Sequence, residues 1–171
     1  MKRIMIIGCG GAGKSTLSRQ LHASLGLPLH HLDQYFWQAG WVEIDRQEWK
    51  RLNEKLVAED RWIIDGNYGS TMDMRLARAD TVIFLDYPTW IRLYRVLKRA
   101  YRYRGRTRPD MTEGCPEKLE WGFIWYVLRY RATRTPGILR KIAALREDQQ
   151  AFVLRTDREV RAFLRDKLGL P

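Results

Sequence analysis

The chain has 171 residues, 45% hydrophobic and 30% charged, with a formal net charge of +11. That supplies the core of a single domain spanning residues 1–171, and the positive surplus favours anionic partners such as nucleotides or nucleic acid. The two cysteines, Cys9 and Cys115, offer neither a disulfide framework nor metal-ligand spacing, and no apolar run reaches the roughly 18 residues of a membrane span. The seven residues before the first glycine run are too few for a secretory leader, so a cytoplasmic protein without a membrane partner is expected.

In chain order, residues 2–7 read as a short buried strand, β-branched and stopped by glycine. Residues 8–13 form a glycine loop. Residues 14–26 have helical spacing, with Leu17, Leu21 and Leu25 on one face and Gly26 as the stop. Residues 28–32 are a second strand ending at Asp33, and 46–59 a helix carrying Trp49, Leu52 and Leu56. "RWIIDG" is a third strand, a short helix covers about 70–79, and "TVIFLDYP" is a fourth strand stopped by Pro88. A basic helix over about 90–102 leads into the turn-rich "YRGRTRPDMTEGCP". Helices over 117–134 and 137–146, the strand "AFVLR" and a helix over 159–168 complete the chain. Apolar strands alternating with helices predict an α/β three-layer sandwich, a parallel sheet covered on both faces. Ligands in such sheets bind beyond the carboxyl ends of the strands, where the loop after Ile7, Asp33, Asp65, Asp86 and Arg155 all point.

Gly8, Gly13, Lys14 and Ser15 satisfy G-x-x-x-x-G-K-[ST], with a strand before and a helix after. Gly8, Gly10, Gly11, Ala12 and Gly13 let backbone N–H groups converge on phosphate oxygens, and the start of the next helix, Lys14 to Thr16, adds free donors. Lys14 is expected on the β- and γ-phosphates of ATP and the Ser15 hydroxyl on Mg²⁺. Cys9 reads as a small filler.

A kinase also needs a metal-side carboxylate, an acceptor site and cations around the transferred group. Asp65 or Asp86, each ending a strand, could hold Mg²⁺ or its water; Asp65 is favoured because Gly66 lets the backbone approach a ligand. Asp33 lies among Tyr35, Phe36, Trp37 and Trp41. These rings could wall an acceptor pocket in which Asp33 orients or deprotonates a hydroxyl, or they could be core beside a turn aspartate. His30 and His31 have no metal-site company. Arg95 and Arg99 share a helical face, and the glycine-containing insert over about 102–116, between basic helices, has the form of a lid closing arginines over a nucleotide. A solvated basic face accounts for several of these arginines.

"GCGGAGKST", "WIIDGNY", "RLARADTVIFLD" and "YRGRTRPDMTEGCPEK" together resemble the adenylate-kinase-like P-loop proteins called DNA topology modulation, or FlaR-related, proteins. The resemblance implies the P-loop kinase fold, with five parallel strands in the order 2-3-1-4-5. It implies a metal-site role for Asp65, lid-entry arginines at Arg95 and Arg99, and lid-exit arginines at Arg131 and Arg134. One departure stands out: Asn67-Tyr68-Gly69 follows Asp65-Gly66 where adenylate kinases carry Phe-Pro-Arg, so AMP is a doubtful acceptor unless Arg75 replaces the missing arginine. An ATP- and Mg²⁺-dependent kinase acting on a nucleoside, nucleotide or related metabolite is the favoured expectation, with Arg155 near the nucleotide. A nucleotide-dependent DNA-binding protein, with residues 90–134 as its footprint, is the rival, and an ATPase without an acceptor is a third reading.

Overall fold

The computed structural model describes residues 1–169. Five strands, β1 (Arg3–Gly8), β2 (Leu29–His31), β5 (Trp62–Asp65), β6 (Thr81–Leu85) and β7 (Gln150–Leu154), form one parallel sheet ordered β2-β5-β1-β6-β7. Counting only these strands, that is the expected order 2-3-1-4-5. Successive side chains of a strand point to opposite faces, and β1 shows the consequence. Ile4 and Ile6 face one core with Leu17 and Leu21 of α1 (Lys14–Leu25) and Phe163 and Leu164 of α8 (Asp157–Leu168). Met5 and Ile7 face the other core, formed with α3 (Arg46–Ala58), α4 (Gly69–Arg78), α5 (Thr89–Arg102), α6 (Trp121–Thr133) and α7 (Thr135–Ala143). Both faces of β1 are covered, so its central stretch is a continuous apolar run.

The sequence left the segment after β2 without an assigned element. It forms a short helix, α2 (Leu32–Phe36), and a small antiparallel hairpin of β3 (Trp37–Gln38) and β4 (Val42–Glu43). The aromatic helix expected from residue 117 starts only at Trp121, because Glu117 is drawn into the insert: its N–H donates to Arg106 O at 2.9 Å and its carboxylate pairs with Arg99 and Arg108. The insert between α5 and α6 is therefore longer than 102–116 implied, and it carries two isolated bridges, Arg104 with Glu117 and Thr107 with Pro116.

Candidate active site

The glycine loop joins β1 to α1, and close packing explains its composition. A Cβ on Gly10 would lie 2.4 Å from the Phe123 ring, and one on Gly11 would lie 2.4 Å from Arg92 O, with the backbone of Gly11 at φ 76°. The loop is thus pressed between α5 and α6, and at Gly11, against backbone and at positive φ, only glycine fits. Gly13, at φ 94°, opens α1 without a side-chain cap, which leaves the first N–H groups of the helix free to meet an anion. Lys14 Nζ folds back over the loop to within 3.3 Å of Cys9 O.

A layer of polar groups surrounds the base of the loop, most of them buried; Asn67 at its edge also lines the cleft. Asn67 accepts from Gly8 N–H at 2.9 Å and donates to Gly8 O at 2.8 Å, gripping both backbone groups of the loop's first residue. Asp65 Oδ2 accepts from the Ser18 hydroxyl and from His31 Nδ1, each at 2.7 Å. Burial pulls the His31 imidazole down, but the hydrogen bond and charge of Asp65 outweigh it and its pKa is raised. Arg75 is wholly buried and donates to the carbonyls of Gly66 at 2.7 Å, Asn67 at 2.5 Å and Tyr68 at 3.0 Å. Arg92 is also wholly buried, with one nitrogen on Thr89 Oγ1 at 2.8 Å and its guanidinium 5.3 Å from the Tyr130 ring centroid. Cys9 lies in the same layer; its burial pushes the thiol up and leaves it inert, as a filler should be.

Above the loop opens a cleft of about 1060 Å³. Gly10, Gly11, Gly13, Lys14, Ser15 and Thr16 form its floor, Asp33, Trp37, Trp41 and Tyr68 one wall, and Arg95, Arg99 and the insert the other. Asp33 therefore faces the same space as Lys14. The Tyr68 hydroxyl donates to Asp33 Oδ1 at 2.6 Å, and burial, then the Asp33 charge, push that phenol far above its usual range, so it stays a proton donor. Tyr68 sits at φ 33°, in the left-handed region, held there through its carbonyl by Arg75. Trp37 and Trp41 meet edge to face at 5.4 Å. The insert reaches across to this wall: Thr112 Oγ1 donates to Gln34 O at 2.7 Å, Gln34 Nε2 to Pro109 O at 3.0 Å and Trp41 Nε1 to Pro116 O at 3.1 Å. Residues of the insert thus line the cleft opposite Trp37 and Trp41.

The arginines divide. Arg95 lies 3.7 Å from the Cβ position of Gly13 and forms a forked pair with Asp157 at 2.7 and 2.9 Å. Arg99 donates to Glu117 at 2.9 Å. Both line the cleft. Arg131 and Arg134, expected at the lid exit, are exposed and outside the cleft lining. Arg155 is exposed too, its backbone N–H on Glu159 at 2.6 Å and its side chain 3.5 Å from the buried Asp86, and it does not reach the lining. Asp65, favoured for the metal, is buried on Ser18 and His31 and is likewise absent from the lining, and Arg75 is spent on carbonyls, so it cannot serve an acceptor phosphate. The donors that fit a hard divalent cation are oxygens facing the loop: the Ser15 hydroxyl with the carboxylates of Asp33 and Asp110. Among the described residues, no three His, Cys, Asp or Glu side chains form a metal cluster without a nucleotide. Beside Gly13 and Thr16, a smaller hollow of about 200 Å³ is bounded by Gln20, Tyr87, Arg95, Asp157 and Val160.

Asn67, Tyr68 and Asp110 went unread in the sequence. The signal for the first two was the departure itself, since a strand end followed by Gly-Asn-Tyr sets an amide and a phenol beside the loop. Asp110 sits in a turn-rich insert whose path no periodicity reveals.

Over 132 residues the chain is 35% identical to the uncharacterized protein YqaC of Bacillus subtilis (strain 168), a match covering 72% of each. The chain belongs to the YqaC family. No profile of a known protein family matches it. Among solved structures, this YqaC-family chain is similar to shikimate kinase from Acinetobacter baumannii, in complex with shikimate. The TM-score is 0.60 at 16% identity, over 99% of this chain and 94% of that one. Shikimate kinase from Bacteroides thetaiotaomicron gives 0.57 at 18% identity over 99% of both chains. A putative kinase from Chloroflexus aurantiacus gives 0.50 at 18% identity over 96% of both. At these identities the likeness is one of fold: an α/β P-loop kinase fold with a five-stranded parallel sheet.

Proposed function

We propose that the protein is an ATP-dependent kinase that transfers the γ-phosphate to a hydroxyl of a small acceptor, a nucleoside, nucleotide or related metabolite. The observation that carries this reading is the meeting of Lys14 and Asp33 in one roofed cleft, the carboxylate held by Tyr68. The base of ATP would lie in the hollow bounded by Tyr87, Arg95 and Asp157, its phosphates on the N–H groups of residues 10–16 and on Lys14. Bound Mg²⁺, held by Ser15 and the phosphates, would neutralise charge on the transferred group. Asp33 would orient the acceptor hydroxyl and take its proton as the oxygen bonds to phosphorus and the bond to the β-bridging oxygen breaks, releasing ADP. Arg95 and Arg99, now paired with Asp157 and Glu117, would exchange those carboxylates for phosphate oxygens. The kinase names of the proteins with this fold support the same reading.

The test is phosphorylation of a fractionated pool of small metabolites with γ-labelled ATP. The account expects label in a new small molecule, absent with Lys14→Ala. Label released only as free phosphate would make the protein an ATPase and remove the acceptor.

A second reading, a nucleotide-dependent DNA-binding protein, draws on the resemblance to DNA topology modulation proteins and on one observation. Trp90, Tyr94 and Tyr101 of α5 and Trp121 and Trp125 of α6 are exposed, with Lys98 near Tyr94 and Arg129 near Trp125. Stacking rings interleaved with cations suit nucleic acid. Titration against duplex DNA at several salt concentrations separates the readings: tight binding with a steep salt slope supports the second, weak binding without sequence preference the first.

A further inference from the structure

Two arginines from different elements converge on one carboxylate at the end of the insert. The carboxylate is Glu117, whose backbone is tied down by its N–H on Arg106 O at 2.9 Å and by a bridge to Arg104. Its side chain is only 4% exposed. Arg99 of α5 donates from Nε to Oε1 at 2.9 Å, and Arg108 of the insert brings its own Nε to within 2.6 Å of Oε2. The second approach is a charge contact without the alignment of a hydrogen bond, so the buried Arg108 Nε–H has no acceptor of its own. The Arg108 Nη1 meets Asp110 at 3.1 Å.

This fork stands over the phosphate loop. The Arg99 guanidinium lies 5.7 Å from the centroid of the Phe123 ring, and Cζ of that ring lies 2.4 Å from where a Cβ on Gly10 would stand. Arg99, Arg108 and Glu117 line the cleft together with Lys14 and the loop glycines. Two guanidinium groups, one on each oxygen of an anion, also suit a phosphate group. A carboxylate in the fork and a polyphosphate on the loop therefore claim the same donors, and two anions so close repel each other. Glu113 of the same insert is exposed and outside the cleft lining, so it makes no such claim.

We infer that Glu117 is an internal anion, an autoinhibitory contact that occupies the Arg99–Arg108 fork in place of a phosphate group and weakens nucleotide binding until it is displaced. The inference rests on the nucleotide reading proposed above. A carboxylate that only holds the insert together and one that competes with the ligand differ in sign. Loss of the first weakens binding, and loss of the second tightens it.

The experiment measures, by calorimetry in EDTA, the affinity of ADP and of inorganic tripolyphosphate for the wild type, Glu117→Gln, Glu117→Asp and Glu113→Gln. Glutamine keeps the shape and an acceptor oxygen for Arg99 but loses the charge. Glu117→Gln should bind both probes about tenfold more tightly than the wild type. Glu117→Asp, whose shorter side chain draws the charge back from the arginines, should gain about threefold, and it carries the test if the glutamine variant does not fold. Glu113→Gln reports the bare loss of one surface charge and should gain less than about twofold. Adding Arg108→Gln to Glu117→Gln should remove most of the gain. Limited trypsin digestion gives a second readout: without ligand the exposed Arg104 and Arg106 should be cut faster in Glu117→Gln than in the wild type, and ADP should restore the protection. Binding by both Glu117 variants at or below the wild-type level, or an equal gain in Glu113→Gln, would overturn the inference and leave the nucleotide reading standing. No binding of either probe by any of the proteins would remove the nucleotide reading, and this inference with it.

Discussion

The layer beneath the phosphate loop and the cleft above it use the same residue types to opposite ends. Below, Asp65, Arg75 and Arg92 are buried and lie outside the cleft lining, and their bonds go to neighbours or backbone: Asp65 to Ser18 and His31, Arg92 to Thr89, Arg75 to three consecutive carbonyls. Above, Asp33, Arg95, Arg99 and Asp110 line open space, and each is paired with a side chain that a ligand can displace or share. A charged residue bonded to backbone is part of the loop's scaffold. One bonded to a lone side chain at the rim of a cavity is available for chemistry. Removing a lower-layer group should cost stability, and removing an upper-layer group should cost turnover.

The largest effect expected is in the cleft. Lys14→Ala should lower phosphoryl transfer more than about a hundredfold, the cost of losing one preorganised donor, while the melting temperature stays near wild type because Nζ touches only Cys9 O. Retained transfer would break the comparison at its upper end. Next, in the lower layer, Arg75→Met strands three carbonyls in a buried site. We expect a loss of about 3 kcal/mol and thus a melting temperature lower by roughly 6–12 °C. A variant as stable as wild type but inactive would move Arg75 into the site.

The smallest effect concerns the His31–Asp65 pair. The folded His31 pKa is raised, so its contribution is fully present below the unfolded value of about 6.5 and is lost as pH rises through the folded value. Melting curves of wild type and His31→Gln between about pH 5.5 and 8.5 should converge as pH increases. Curves that diverge towards alkaline pH would mean that the imidazole is held neutral.

The strands and the loop were legible in the sequence because their signals are local, while the strand order came from the family resemblance. Apolar runs set by Ile4 to Ile7 and Ile63 to Ile64 end at glycine or aspartate, and a glycine run precedes Lys14. Asp33 was legible as a candidate because so many rings surround it. Which of the aspartates read at strand ends lines the cleft was not legible. Asp65 and Asp33 follow similar apolar strands, and what separates them is a contact from a distant residue, Ser18 and His31 for one and Tyr68 for the other. Arg131 and Arg134, which the resemblance placed at the lid exit, lie on the exposed end of α6 outside the cleft lining, and no local signal in the sequence says which neighbour that face meets. Asp110 was invisible for a related reason: it lies in an insert without periodicity, and the cleft it lines is built from the loop far earlier in the chain.

The most direct test sets Asp33→Asn beside Asp65→Asn and measures two quantities for each: melting temperature, and the rate of label transfer from γ-labelled ATP to the acceptor fraction. Asp33→Asn should melt close to wild type and lose about 10²- to 10⁴-fold in rate, as expected for a lost general base. Asp65→Asn should lose about 2 kcal/mol, roughly 4–8 °C in melting temperature, and keep its rate to within about tenfold at a temperature where it is folded. The opposite pattern, a stable but inactive Asp65→Asn beside an unstable but active Asp33→Asn, would contradict the division between scaffold and site.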